Sequence, residues 1–403
     1  MSPNSKENTI TIGIFEAKDY YPNLITMTSI FHDGIKGLKD MIWHNKKIKL
    51  YVFGDYAFLC SLYGLSGPAG TYPCVWCHCR KNDIQKPISD RDETPRTLST
   101  IKQNYKQFKI KGCQKTYASE CNNIIHNPLW PVAVSRVCPP YLHILLGVVK
   151  KHHDLLECAC HDIDLLIAKE IAECEVDVPI LNITLFEEYI KKMRQIRRLT
   201  QDIQKLKKEY AFEKKDKELN TKDKTALLEA IRNKIKTQEK LIDKLLVNAT
   251  LDNISGPVTS NLDKVLQENN IKLQAFHSRS FTGNHCHKYL QTSTIISVTG
   301  SVITKTLSFT STAHIIQKAQ EVALKFKQLN LKYQKVHNAI SHCLPIHKEE
   351  VDHLQNYVNT YLQEYRSQFP GKVFPKLHML EDHAVQWIKK TGFGMALLGE
   401  QGN

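Results

Sequence analysis

No stretch of this sequence approaches 18 consecutive apolar residues, the length that marks a membrane-spanning helix. The opening MSPNSKENT has neither the basic stretch nor the apolar block of a secretory signal. No internal repeat recurs and no extended low-complexity region interrupts the chain, which removes repeat architectures. Carboxylates are the scarcer charge. Against 55 Lys and Arg stand 41 Asp and Glu, a formal net charge of +14. That balance, with a pI near 9.1, favours a polyanionic partner, nucleic acid before a membrane. What the chain does have is cysteine. Twelve of them without a signal, with 18 histidines in the chain, read as thiols of a reducing compartment available to metal rather than as a disulfide framework. A nuclear or cytoplasmic protein is expected. At 403 residues the chain can bury a large core in two or three domains.

Residues 9–15 (TITIGIF) and 48–53 (IKLYVF) are rich in β-branched and aromatic side chains and read as strands. Leu24 to Ile42, between them, carries apolar residues at helical spacing. This β-α-β opening points to an α/β sheet. Asp55 follows the second strand and begins a helix through Leu62. Ligand sites in open α/β sheets gather at the C-terminal ends of strands, so Asp55 is placed for chemistry. An N-cap aspartate would occupy the same position, and the two readings stand side by side. Residues 80–125 are polar and read as a long connection. From Pro139-Pro140 the pattern turns helical, with Tyr141–Cys158 and Asp162–Glu173 first, and with 261–269, 285–297, 311–335, 347–367 and 376–390 later. Two helices joined near Leu219-Asn220-Thr221 are expected over 183–247. Residues 191–247 hold 18 Lys and Arg against 9 Asp and Glu, a net +9. The expected divisions are 1–80, 81–138, 139–372 and 373–403. They describe an α+β chain in which a small sheet is interrupted by a large, mainly helical insertion.

The chemistry is concentrated in a split pattern. Cys74-Val75-Trp76-Cys77 lies near the start, and His378 and His383 lie about 300 residues later, with Glu400 close to the end. Two thiols and two imidazoles make a tetrahedral zinc set, and Cys-x-x-Cys is the usual knuckle spacing. On a straight α-helix, residues five apart point roughly 140° away from each other, so His378 and His383 fit a helix start or a distorted turn, and Pro375 supports a start. His78 and Cys79 are substitute ligands. Cys113, Cys121 and His126, Cys158 with Cys160 and His161, and His285 with Cys286 and His287 compete as separate sets but read mainly as buried thiols or surface residues. Closing the Cys74, Cys77, His378 and His383 set would carry Asp55 and Glu400 toward each other, as metal-dependent phosphoryl transfer requires.

In this order the residues resemble a known family. From Gly13 to Cys77 the chain is similar to the catalytic core of the V(D)J recombination-activating recombinase and its relatives, the Transib transposases. In those enzymes a catalytic Asp follows a strand, and a Gly-Leu-x-x-x-x-Gly segment leads into a Cys-x-x-Cys pair. Asp55, Gly64-Leu65-Ser66-Gly67-Pro68-Ala69-Gly70 and Cys74/Cys77 stand in that sequence. Tyr141-Leu142-His143-Ile144 resembles the family's Ala-Leu-His segment, and Ser280 to Asn284 an Asn-Gly-Asn-Phe segment. His378 and His383 match the second zinc pair, and Gly394 to Asn403 the glycine-rich approach to the catalytic Glu.

The resemblance implies an RNase H-like fold and a DDE site in which Asp55 and Glu400 are two of three carboxylates. It implies His143 near that site, structural zinc on Cys74, Cys77, His378 and His383, and two Mg²⁺ or Mn²⁺ ions on the carboxylates. It further implies a nuclear protein of transposable-element origin, with DNA as its partner, and a homodimer. The reaction would be nicking, hairpin formation and strand transfer. The family's first Asp lies on a strand before Met1, and only three residues follow Glu400. The expectation is therefore a fragment, inactive by itself. Two other readings are weighed beside it. One is a domesticated DNA-binding protein that keeps the zinc-closed fold without catalysis; the other is an interaction module, unrelated to DNA, built on the 183–247 hairpin.

Overall fold

The computed structural model describes residue 16 and residues 20–38, 41–174, 184–215, 221–247, 255–274, 279–341 and 345–397. Thirteen α-helices are found among them: α1 (Tyr21–Leu38), α2 (Tyr56–Leu62), α3 (Leu98–Ile110), α4 (Tyr141–Glu173), α5 (Thr184–Lys215), α6 (Thr221–Val247), α7 (Pro257–Glu268), α8 (Gly283–Tyr289), α9 (Thr292–Leu307), α10 (Ala313–Ile340), α11 (Lys348–Gln368), α12 (Pro375–His378) and α13 (Val385–Thr391). The fold is mainly helical. The sheet among the described residues is a hairpin of β1 (Ile42–Trp43) and β2 (Lys46–Lys47). His44 and Asn45 turn it with φ of 46° and 60°, the doubly positive backbone that a two-residue hairpin turn demands.

This corrects the expected strands. Residues 9–15 lie outside the described residues. Residues 48–53 are extended but make a single parallel bridge, Val52 to Val137, with Val52 N donating to Arg136 O at 3.1 Å and Cys138 N donating to Val52 O at 2.8 Å. Val52 is the one buried side chain of that run, so its alternation finds a neighbour at one point instead of along a ladder. An RNase H-like sheet is not among the described elements. Three helix boundaries also change. Tyr141–Cys158 and Asp162–Glu173 are one continuous helix, α4. The expected 285–297 helix is two, α8 and α9, broken at Leu290-Gln291. The polar connection contains α3, started by a capping box between Thr97 and Thr100 and turned inward on Ile101, Asn104 and Phe108.

The chain divides into two compact units. The first takes the described residues of Met1–Lys151, Leu273–Gln291 and Gln328–Asn403; the second takes those of His152–Lys272 and Thr292–Lys327. In the first unit, Leu59, Leu62, Tyr63, Ile101, Tyr141, Leu145 and Leu377 are buried. A row of rings, Tyr333 to Tyr361 at 5.1 Å, Tyr361 to Tyr365 at 6.2 Å and Tyr365 to Phe369 at 5.3 Å, links α10 to α11. Gly64 ends α2's turn at φ 77°, and its carbonyl accepts from Ile125 N at 2.9 Å and His126 N at 3.1 Å. A Cβ there would stand 2.1 Å from His126 O, so the sequence position admits only glycine.

In the second unit, the buried Asp164 of α4 caps α7 from outside its own chain segment. Its Oδ1 accepts from Val258 N at 2.8 Å and its Oδ2 from Thr259 N at 3.0 Å. Pro257 opens α7 at the position where a missing N–H costs nothing. Gly256 lets the carboxylate approach, since a Cβ there would lie 2.4 Å from Asp164 Cγ. Removing this carboxylate leaves two buried N–H donors unpaired. Asp164→Ala is expected to destabilise the protein by about 2 kcal/mol, read as a lower urea midpoint, while Asp164→Asn, which keeps one acceptor, loses less.

Candidate metal centre

All four residues expected to form the zinc set meet in the first unit. One ligand atom from each of Cys74, Cys77, His378 and His383 lies within 4.8 Å of the others. Cys74 Sγ is 3.1 Å from His383 Nε2, and Cys77 Sγ is 3.4 Å from His378 Nε2. A tetrahedron with bonds of about 2.0 to 2.3 Å has edges of roughly 3.3 to 3.8 Å, so the 3.1 and 3.4 Å separations are near that edge and the whole set, within 4.8 Å, is compatible with zinc. The set is soft, four-membered and buried on three of its residues, the pattern of a closed structural site that keeps no open coordination position.

Local sequence explains how each half is shaped. Trp76 N donates to Cys74 Sγ at 3.4 Å, the amide-to-sulfur contact of a knuckle. The guanidinium of buried Arg96 braces the same turn, with Nε 2.9 Å from Cys74 O and 3.0 Å from Cys77 O. Trp76 Nε1 donates to Val137 O at 3.0 Å, which pins the knuckle to the segment before α4. On the other side, Pro375 starts α12 and the chain then passes through a π-helical turn, Met379–Ala384. A π turn closes i to i+5, so residues five apart share a face. The turn thus places His378 and His383 on one side, with their rings 5.0 Å apart at 89°. Here the expected distorted turn takes a specific form.

Behind the histidines sits a buried ion network that the sequence reading missed. His378 Nδ1 is 2.6 Å from Asp382 Oδ2, the carboxylate–imidazole pairing that fixes a metal ligand's tautomer. Arg91 Nη1 donates to both oxygens of Asp382 at 3.0 and 3.1 Å, and its Nη2 pairs with Glu381. Arg91 Nη1 also lies 3.2 Å from His378 Nδ1, but both groups are donors and both aim at Asp382. Arg366 makes a two-pronged pair with Glu381 at 2.7 and 2.6 Å. The signal was present in the sequence, because Glu381 and Asp382 lie between the two histidines.

These contacts set the proton chemistry of the metal-free residues. Burial works to lower His378, but its bonds to Asp382 and Cys77 prevail and hold it up at about 9. The hydrogen bond its thiol donates to Cys74, with burial, pushes Cys77 up to about 12. Zinc takes neutral imidazole and thiolate, so it must displace both protons.

The other expected residues are placed differently. Asp55 is the N-cap of α2, its Oδ1 accepting from Phe58 N at 2.7 Å, so the capping role is filled. His143 is half-buried in the first turn of α4. Glu400 lies outside the described residues. His78 and Cys79 are not in the set, and burial pushes the Cys79 thiol up to about 12. Among the described residues the competing sets do not assemble. Cys113 is exposed, His126 stacks on Tyr21 at 3.9 Å, Cys158 is exposed while Cys160 is buried, and His287 bonds His337 at 3.0 Å. No family profile matches the chain, and no curated protein matches it.

Two outcomes test the centre. Purified protein should carry one zinc per chain by elemental analysis, and Asp382→Asn should weaken zinc binding by about 10- to 100-fold in a chelator competition. Zinc affinity should also rise with pH. Below about 9, where both His378 and Cys77 hold protons in the metal-free protein, log K should climb by at least two per pH unit, and binding should release at least two protons in buffers of differing ionisation heat.

Proposed function

We propose that this chain is part of a DDE-type DNA transposase or recombinase core, with Asp55 and Glu400 as two ligands of Mg²⁺ or Mn²⁺ and with zinc on Cys74, Cys77, His378 and His383 holding the fold. One observation carries the reading: two ligand pairs about 300 residues apart, which resemble the two zinc pairs of one family, converge on one four-donor set. Convergence of distant segments supports the resemblance more strongly than either pair does alone, because coincidental Cys-x-x-Cys and His pairs have no reason to meet. The basic balance of the chain fits a DNA partner.

The two metal classes belong in different places. The sulfur and imidazole set is closed and soft, whereas ions that activate water and a DNA 3′-hydroxyl take hard carboxylate oxygens. Asp55 would supply one carboxylate from the start of α2, and its bond to Phe58 N holds it in one orientation. Glu400 would supply a second, and His143 would support the substrate phosphate. With two carboxylates matched out of three, strand transfer by this chain alone should be weak. On this reading the protein would work as a nuclear homodimer on DNA.

Asp55→Asn separates the two roles of this residue. Asparagine caps a helix as well as aspartate does, so the fold should be unchanged. It is a poor ligand for hard cations, so Mn²⁺ binding followed by paramagnetic line broadening should fall by at least tenfold, as should any Mn²⁺-dependent nicking of a labelled duplex. Duplex binding with zinc in place but no Asp55-dependent Mn²⁺ site would turn the reading to the domesticated, non-catalytic DNA-binding protein.

A further inference from the structure

In the second unit, α5 and α6 form an antiparallel hairpin. Lys207 meets Glu239 at 3.4 Å and Tyr210 meets Arg232 at 3.0 Å, so positions advance along one helix as they recede along the other. The seam uses Ile203 and Ile231, both buried, with Ile196, Leu199, Leu206 and Tyr210 half-buried on α5 and Leu228, Ile235 and Ile242 on α6. Counting in heptads from Ile203 fixes which residues of α5 point away from α6.

Those outward positions between Lys191 and Lys215 hold Lys and Arg and no Asp or Glu. Two of the cations are committed within the unit. Arg194 Nη2 donates to Ile171 O at 3.2 Å and Cys174 O at 3.3 Å, and Arg197 bonds Glu173 O, satisfying carbonyls at the negative end of α4. Lys191, Arg198, Lys205, Lys208 and Lys215 remain exposed along the helix. Lys205 is 81 % exposed, with the flanking Asp202 3.9 Å away. The outward positions of α6 differ: Asp223, Glu229 and Asp243 alternate there with lysines. The outward face of α5 is therefore of one sign while that of α6 is mixed, so overall composition does not account for the stripe.

The geometry selects among anionic partners. Lys191 to Lys215 spans about 36 Å of helix, close to one turn of duplex, and cations seven residues apart recur about every 10 Å. Membrane docking needs an apolar face beside the basic one, but the apolar face of α5 is spent on α6, and Phe212 is the one large apolar side chain pointing outward. Single strands need successive aromatic platforms, which a lone Phe212 does not provide. We propose that the outward face of α5 docks the phosphate backbone of duplex nucleic acid through Lys191, Arg198, Lys205, Lys208 and Lys215, without reading bases. The proposal shares its partner with the DDE reading but needs no metal chemistry.

Salt dependence of binding by the full chain to two unrelated 30-base-pair duplexes, without Mg²⁺, tests it. Changing all five residues to Gln should lower the slope of log K against log salt by about four to five, equally for both duplexes. A control with Lys236→Gln, Lys240→Gln and Lys244→Gln on α6 should lower it by less than one, and both variants should keep the parent's circular dichroism and melting temperature. An unchanged slope in the five-residue variant would overturn the α5 surface while leaving the DNA reading intact. Absence of duplex binding by the parent chain at 50 mM salt would overturn both, and tighter binding to phosphatidylserine vesicles than to duplex would assign the stripe to membranes and overturn the proposal.

Discussion

The convergence of Cys74 and Cys77 with His378 and His383 is the constraint on which the first unit depends. It joins segments about 300 residues apart. The entropy of closing so long a loop grows only logarithmically, by about 0.6 kcal/mol for each doubling, so a large helical insertion can be tolerated between the two halves. What cannot be tolerated is imprecision at the ends. Four donors must stand within an ångström or so of tetrahedral positions, and each neighbouring feature serves that requirement. Arg96 grips the two carbonyls of the knuckle, Trp76 ties it to Val137, and the π turn rotates His383 onto the face of His378. A regular α-helix with the same residues would hold one imidazole out of reach.

The ion network behind the histidines holds the candidate donor set in place. Two guanidiniums, two carboxylates and an imidazole are costly to bury, and replacing such groups by apolar ones often leaves stability unchanged or better. Here, however, the carboxylate of Asp382 serves two donors at once, Arg91 and His378, and Glu381 is held from two sides by Arg91 and Arg366. The network fixes the imidazole so that Nε2 faces the sulfurs. In the metal-free protein that geometry keeps protons on His378 and Cys77; a zinc ion on the set would replace them, and its two charges would cancel those of the two thiolates. The polar cluster and the metal set are thus one electrostatic unit.

Some of this was legible in the sequence. Cys-x-x-Cys and the spaced histidines announce soft ligands by residue type alone, and the five-residue step between His378 and His383 already favoured a helix start or a distorted turn. Most helices were legible too, because the burial of α7, α10 and α11 follows simple apolar periodicity. Other parts were not. The apolar positions of α3 are few and dispersed among Lys, Gln and Asn, so the helix is carried by its cap and by Ile101 and Phe108 and reads as a loop. The alternation of residues 48–53 indicated a strand, but a strand needs partners that local pattern does not supply, and Val52 finds one. Arg91 was invisible for a different reason. It is nearly 300 residues from the carboxylates it neutralises, and nothing near it in sequence distinguishes it from a surface arginine.

Asp55 shows why position in sequence alone could not settle its role. Capping and metal binding were alternatives on paper because both place an acidic residue at a strand end before a helix. In the structure its Oδ1 is bonded to Phe58 N, which meets the requirement for a cap. A carboxylate has a second oxygen, and a first oxygen fixed by the backbone removes the rotamer freedom that metal binding would otherwise have to overcome. The cap is therefore compatible with coordination and would preorganise it. Zinc closure adds a second constraint, since the knuckle follows Asp55 by about 19 residues and the segment before Glu400 follows His383 directly. On the DDE reading, the soft metal would then limit where the hard one can bind, although no ligand is shared between them.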